Sequence, residues 1–94
     1  AEMATTAAAS RSLTFDTLRR FHEGEDVTRE VSMAKLFTQR ALVEIADDTV
    51  QLFGGWGYMR EYQVERALRD ARLGPIGGGT DEIMKEIIGK TMGL

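Results

Sequence analysis

The sequence has no cysteine, one proline and one tryptophan. Without thiols there is no disulfide framework and no Cys-based zinc or iron–sulfur site. Positive charge is not in excess: twelve Lys and Arg stand against fifteen Asp and Glu, for a formal net charge of -3. Nothing therefore presents a basic face to the phosphates of a nucleic acid. No run of about 18 apolar residues occurs, which excludes a membrane-spanning helix. The start lacks a basic segment leading into an apolar one, so it does not read as a secretory signal. Strand-like alternation and internal repeats are also missing. What remains is a 94-residue chain, 43% hydrophobic and 29% charged. That balance fits one globular domain with a small margin of stability.

The first nine residues read as helix interior, rich in alanine and without an N-cap, so the chain is expected to be a piece excised within a helix. Glycine is uneven: Gly24 stands alone in the first half, and the other nine fall from Gly54 onward. The pattern predicts a first helix to about residue 21, with Met3, Ala7, Leu13, Leu18 and Phe21 as an imperfect apolar stripe. Gly24 suits a C-terminal cap and Asp26 an N-terminal one. A second, long helix spans about 27–53, with Val31, Ala34, Phe37 or Thr38, Ala41, Ile45, Thr49 and Leu52 on its inner face and Arg29, Lys35, Gln39, Glu44 and Asp47 opposite. Gly54 and Gly55 stop it. Residues 54–62 read as a loop whose Trp56, Tyr58 and Tyr62 are packing anchors. A third helix covers about 63–73, with a Glu65–Arg69 pair, and ends at Gly74-Pro75. Thr80 caps a fourth helix that runs to about residue 91, with Ile83, Ile87 and Ile88 apolar. The expected fold is all-α: an antiparallel helical hairpin plus two shorter helices, bundle-like.

Nucleotide-binding templates fail on spacing. After Gly54-Gly55-Trp56-Gly57, Arg60 stands where a dinucleotide fingerprint needs glycine; after Gly77-Gly78-Gly79, Glu82 does. Gly89-Lys90-Thr91 resembles the end of a P-loop, but Met84 replaces its first glycine and the run lies late in a helix. A looser use survives, because Gly77–Gly79 feeds directly into a helix N-terminus, where free N–H groups favour an anion or polar ligand. His22 has no nucleophile beside it. Asp47 and Asp48 are adjacent on a helix and point apart, so they cannot share a proton. Ser10, Ser12 and Ser32 lack a base, and Arg66, Arg69 and Arg72 alternate with Glu65 and Asp70 as a salt-bridged surface.

Several motifs nonetheless occur together and in order: Gln51-Leu52-Phe53-Gly54-Gly55-Trp56-Gly57-Tyr58, Val64-Glu65-Arg66, Arg69-Asp70-Ala71-Arg72 and Ile76-Gly77-Gly78-Gly79-Thr80 followed by Glu82-Ile83. The chain resembles the C-terminal helical domain of the acyl-CoA dehydrogenases over essentially its whole length. Its first half matches in helix length and character alone. The resemblance implies an incomplete C-terminal four-helix bundle over residues 1–94, with earlier helices, an N-terminal helical domain and a middle β domain outside it. It implies an FAD-dependent oxidoreductase, usually a homotetramer, that removes the α-hydrogen of an acyl-CoA as a proton and the β-hydrogen as a hydride. The product is a trans-2-enoyl-CoA, and electrons leave through an electron-transfer flavoprotein. The implied compartment is a bacterial cytoplasm or a mitochondrial matrix.

Carried over residue by residue, Gln51, Leu52, Phe53, Gly54 and Gly55 match a stretch touching FAD held mainly by a neighbouring subunit. Thr80, Asp81 and Glu82 match a second FAD-contacting stretch, in which Asp81 replaces the usual serine. Gly78 and Gly79 match positions at the substrate. Gly78 stands where many members have the glutamate that takes the α-proton, and glycine cannot act as a base. The isovaleryl-CoA and long-chain members have a small residue here and carry the base on an earlier helix, so the catalytic base is expected outside this chain. Alone, the chain is expected to be inactive and to dimerise or exchange helices. The competing reading is a stand-alone helical interaction module.

Overall fold

The computed structural model describes residues 1–94 and is entirely helical. Helix α1 (Glu2–His22) and helix α2 (Thr28–Phe53) form the expected antiparallel hairpin. A one-turn helix α3 (Gly55–Tyr58) and a 3-10 turn (Arg60–Tyr62) follow, then α4 (Val64–Ala71) and α5 (Asp81–Thr91). Helix α2 is the axis on which α1, α3, α4 and α5 all rest. The molecule is a slab of 47 × 24 × 19 Å. Its radius of gyration, 15.5 Å, exceeds the roughly 12 Å of a compact chain this long.

Local chemistry sets the hairpin. Gly24, at φ +83°, lets the N–H of Glu25 reach the carbonyl of Arg20 and its own N–H reach that of Phe21. This is a Schellman closure of α1, as a glycine there predicts. Asp26 accepts the N–H of Thr28 at 3.0 Å and its hydroxyl at 2.7 Å. These bonds hold its carboxyl below its ordinary range.

Three expectations are corrected. Residues 54–62 are not an open loop, because α3 and the 3-10 turn fill them. Helix α4 ends at Ala71, two residues before the predicted stop, and residues 72–79 form a chain of turns. The inner face of α1 is also not the apolar stripe. Leu18 and Phe21 are exposed, as is Phe15. The residues turned toward α2 are Met3, Thr6, Ser10, Leu13, Thr17 and Arg20, at alternating steps of three and four. Two buried hydroxyls are satisfied by their own helix: Thr17 Oγ1 donates to the Leu13 carbonyl at 2.8 Å, and Ser32 Oγ to that of Thr28 at 2.8 Å, whereas Ser10 Oγ is buried without a partner. Buried Ala41 and Ala46 let neighbouring helices approach.

Helix α2 likewise departs from its expected faces. Val31, Phe37 and Leu52 are exposed, whereas Lys35 and Gln39 are partly buried. On α5 the buried residues are Asp81 and Met84, and Ile83 is exposed. The core is thin: only 9 of 94 residues are buried, and no large side chain is fully enclosed. Two adjoining clefts of about 480 and 580 Å³ therefore run along α1, α2 and α5, sharing Phe21, Val31 and Lys35, with Gly78 at one end.

Candidate functional site

The Gly74–Thr80 connection is built against one face of α2. Gly74 sits directly on Gln39, where a side chain would collide. The N–H groups of Ile76 and Gly77 donate to the Leu73 carbonyl at 2.9 and 2.7 Å, and the N–H of Asp81 returns to that of Pro75 at 3.0 Å. Lys35 closes the loop from behind: its ammonium donates to the Gly74 carbonyl at 2.8 Å and also to the Gly79 carbonyl. Gly78 and Gly79 have φ of +65° and +98°. At Gly79 a Cβ would also stand 2.7 Å from the Met84 methyl, which would have to swing aside, so it is the positive φ that calls for glycine here.

Thr80 caps α5 as expected, accepting the N–H of Ile83 at 3.2 Å. The buried Asp81 turns inward, and its Oδ2 accepts from Arg40 Nε at 2.6 Å. That bond and the carboxylate's charge hold the Arg40 guanidinium above its ordinary pKa. Asp81 Oδ1 is buried without a partner. The bulk of the Asp81 carboxylate is thus committed to the fold, and its N–H is already used. By contrast, the N–H groups of Gly78, Gly79, Thr80 and Glu82 donate to no protein acceptor. They form a set of free donors at a helix start, backed by glycine, which suits an anionic or carbonyl ligand.

The second predicted stretch lies elsewhere. Gln51, Leu52, Phe53, Gly54 and Gly55 are all exposed at the far end of α2. Gln51 is eleven residues beyond Arg40, about 16 Å along the helix. The structure does not bring the two stretches into one site within this chain. Beside Gly55 the aromatic residues are surface features, contrary to the expectation that they anchor the core. Trp56 is 64% and Tyr58 86% exposed, and Trp56 stacks on Tyr62 with ring centroids 5.8 Å apart. His22, Asp47 and Asp48 are exposed. The Glu65–Arg69 pair forms at 2.7 Å and Arg66–Asp70 at 3.6 Å, as a surface ladder. No cluster of three or more His, Cys, Asp or Glu is placed to hold a metal, and no helix is long and apolar enough to cross a membrane. Sequence reasoning missed Lys35, which was placed on the solvent face.

This all-α arrangement is matched by known proteins. The family model for the acyl-CoA dehydrogenase C-terminal domain matches residues 1–93, and the chain belongs to that family. An acyl-CoA dehydrogenase of Bacillus subtilis is 47% identical over 90 residues, covering 96% of this chain and 24% of the relative. The mitochondrial long-chain specific acyl-CoA dehydrogenase of Sus scrofa is 44% identical over 91 residues, covering 96% of this chain and 21% of the relative. The crystal structure of a probable acyl CoA dehydrogenase from Mycobacterium abscessus superposes with a TM-score of 0.94 at 46% identity, over 97% of this chain and 24% of that one. The chain thus spans about a quarter of the length of these relatives. The family is one of oxidoreductases that are FAD flavoproteins, and a further structure of the same fold, at 27% identity and TM-score 0.93, is an FAD complex.

Proposed function

We propose that this chain is the C-terminal helical domain of a longer FAD-dependent acyl-CoA dehydrogenase. That enzyme converts an acyl-CoA thioester to the trans-2-enoyl-CoA. The observation that carries the reading is the row of free N–H groups at Gly78, Gly79, Thr80 and Glu82, in a chain of this family. When bound, FAD supplies the hydride acceptor. The residues here fit such a group: unpartnered backbone donors at a helix start suit a phosphate or carbonyl oxygen, and glycine lets a flat ligand approach. Thr80 and Glu82, with Gly78 and Gly79, would face the flavin and the thioester. Asp81 serves by fixing α5 through Arg40. Gln51–Gly55, about 16 Å or more away along α2, would meet the flavin held by a neighbouring subunit, in a homotetramer.

Gly78 cannot remove a proton, and no other carboxylate of this chain lines the clefts beside it except Glu25 and Asp26 at the outer turn. The α-proton base is assigned to a segment outside these residues, as in the isovaleryl-CoA and long-chain members. The exposed faces of Phe15, Leu18, Phe21 and Val31 are read as seats for the rest of the bundle. In the isolated chain they drive self-association, so light scattering at high concentration should show a dimer or helix-exchanged oligomer. A monodisperse monomer would contradict that expectation. Electron-transfer flavoprotein is the proposed acceptor, in a bacterial cytoplasm or mitochondrial matrix. The full-length polypeptide, purified and given a panel of acyl-CoA thioesters with a dye acceptor, should be yellow and turn over at least one. A colourless, inactive protein would overturn the reading.

A further inference from the structure

We propose that Lys35 is a positioning residue: by holding the carbonyls of Gly74 and Gly79, its ammonium turns the Thr80 N–H outward as a ligand donor. The functional half of this inference rests on the flavoenzyme reading; the structural half does not. Every peptide bond of the chain is trans. In a trans peptide the C=O and N–H point to opposite sides of the chain. The Gly79 carbonyl is drawn toward α2 by Lys35, so the N–H of the same peptide unit, that of Thr80, is directed away from α2. It has no acceptor in the protein.

The positive φ values at Gly78 and Gly79 make that orientation available, but glycine alone does not choose it. A glycine-rich loop has many accessible states, and ordering it costs entropy. The choice comes from two tethers rooted on α2 one and a half turns apart. Lys35 takes the loop carbonyls, and Arg40 takes the Asp81 carboxylate at 2.6 Å. The first fixes the peptide before Thr80 and the second fixes the residue after it. Lys35 is the better controller of the donors, because it alone reaches into the glycine run. It is partly buried and its hydrogen bonds are charge-assisted, the kind that hold a backbone in place.

The absence of cysteine permits a clean test in the 94-residue chain. Lys35→Cys creates a unique thiol, and alkylation with 2-bromoethylamine restores an ammonium of nearly the same reach. Amide hydrogen exchange is read at Gly77 and Asp81, whose N–H groups close the loop, and along the middle of α2. Lys35→Cys should speed exchange at the two loop amides about ten- to hundredfold, the loss expected for charged hydrogen bonds. Amides in mid-α2 should keep their protection, and aminoethylation should return the loop amides to wild-type rates. Unchanged loop exchange, equal acceleration everywhere, or failure of aminoethylation to restore protection would each overturn the proposal. In the full-length enzyme, Lys35→Met should lower kcat at least tenfold with KM within about threefold, because loosening the Gly78–Thr80 peptides stops these donors from holding flavin and thioester in one reactive geometry. An unchanged kcat would remove the functional half. A colourless wild-type enzyme would defeat the flavoenzyme reading instead, and the exchange result would still decide whether Lys35 sets the loop.

Discussion

The two glycine-bearing connections of this domain look alike in sequence and differ in what they present. The Gly54–Tyr62 segment displays side chains: Leu52, Phe53, Trp56, Tyr58, Met59 and Tyr62 are all exposed around it, and no side-chain hydrogen bond or ion pair from it reaches another helix. The Gly74–Thr80 segment displays backbone. Four of its seven residues are glycine and Ile76 is its one large side chain, and Lys35 and Arg40 hold its peptides and the head of α5 from behind. Glycine is permissive in both places, but only the second is tethered by charged side chains of α2. A surface of aromatic side chains suits a protein partner, whereas ordered, unpaired N–H groups suit a ligand.

Replacing one glycine in each segment is the strongest way to break this contrast. Gly79→Ala meets both a φ of +98° and the Met84 methyl, and should cost about 1–3 kcal/mol in chemical denaturation. Gly55→Ala has an ordinary helical φ and open space around it, so it should move stability by no more than about 0.5 kcal/mol. Thr80→Ala removes the one side-chain cap among these helices and should cost about 1 kcal/mol by the same measurement. Trp56→Ala loses the stack on Tyr62. Since the indole is 64% exposed, its effect on the isolated chain should stay below about 1 kcal/mol in thermal unfolding.

Acid should treat the two connections alike, and weakly. Glu65, on the helix after the first, is held below its ordinary 4.5 by Arg69; Glu86, on the helix after the second, by Lys90; and Asp26, below 3.8, by Thr28. With folded pKa values depressed, the unfolded chain binds more protons in the acid range. These groups therefore add stability above about pH 4.5, and that stability is lost as pH falls through their folded values. All three lie at the surface, so a pH titration of the unfolding midpoint should show a shallow fall in this window and none between pH 6 and 8.

Much of the fold was legible. Gly24, Thr80 and the Glu65–Arg69 pair are local devices, fixed by residues within five positions of one another, and each formed as read; Asp26 bonds the Thr28 N–H from one position before the N-cap, which is Val27. The helical faces were not legible from hydrophobicity. Thr6, Ser10 and Thr17 lie inside, Thr17 satisfied by its own helix, while Phe15, Leu18 and Phe21 lie outside. On the proposed reading, in which further helices complete the bundle, that exposed apolar stripe marks an outer seam. The site was legible as glycine followed by Thr80. Lys35 was not, because its partners are backbone carbonyls 39 and 44 residues away, and carbonyls leave no mark on a sequence.

The account turns on whether the backbone at Gly78–Thr80 serves a flavin-dependent reaction. The most direct measurement is the visible spectrum of the full-length polypeptide, recorded before and after anaerobic addition of an acyl-CoA substrate. The account predicts a bound oxidised flavin whose absorbance near 450 nm is bleached by the thioester in wild type, and far more slowly in Lys35→Met. A protein without flavin, or one whose flavin no acyl-CoA thioester reduces, would contradict it.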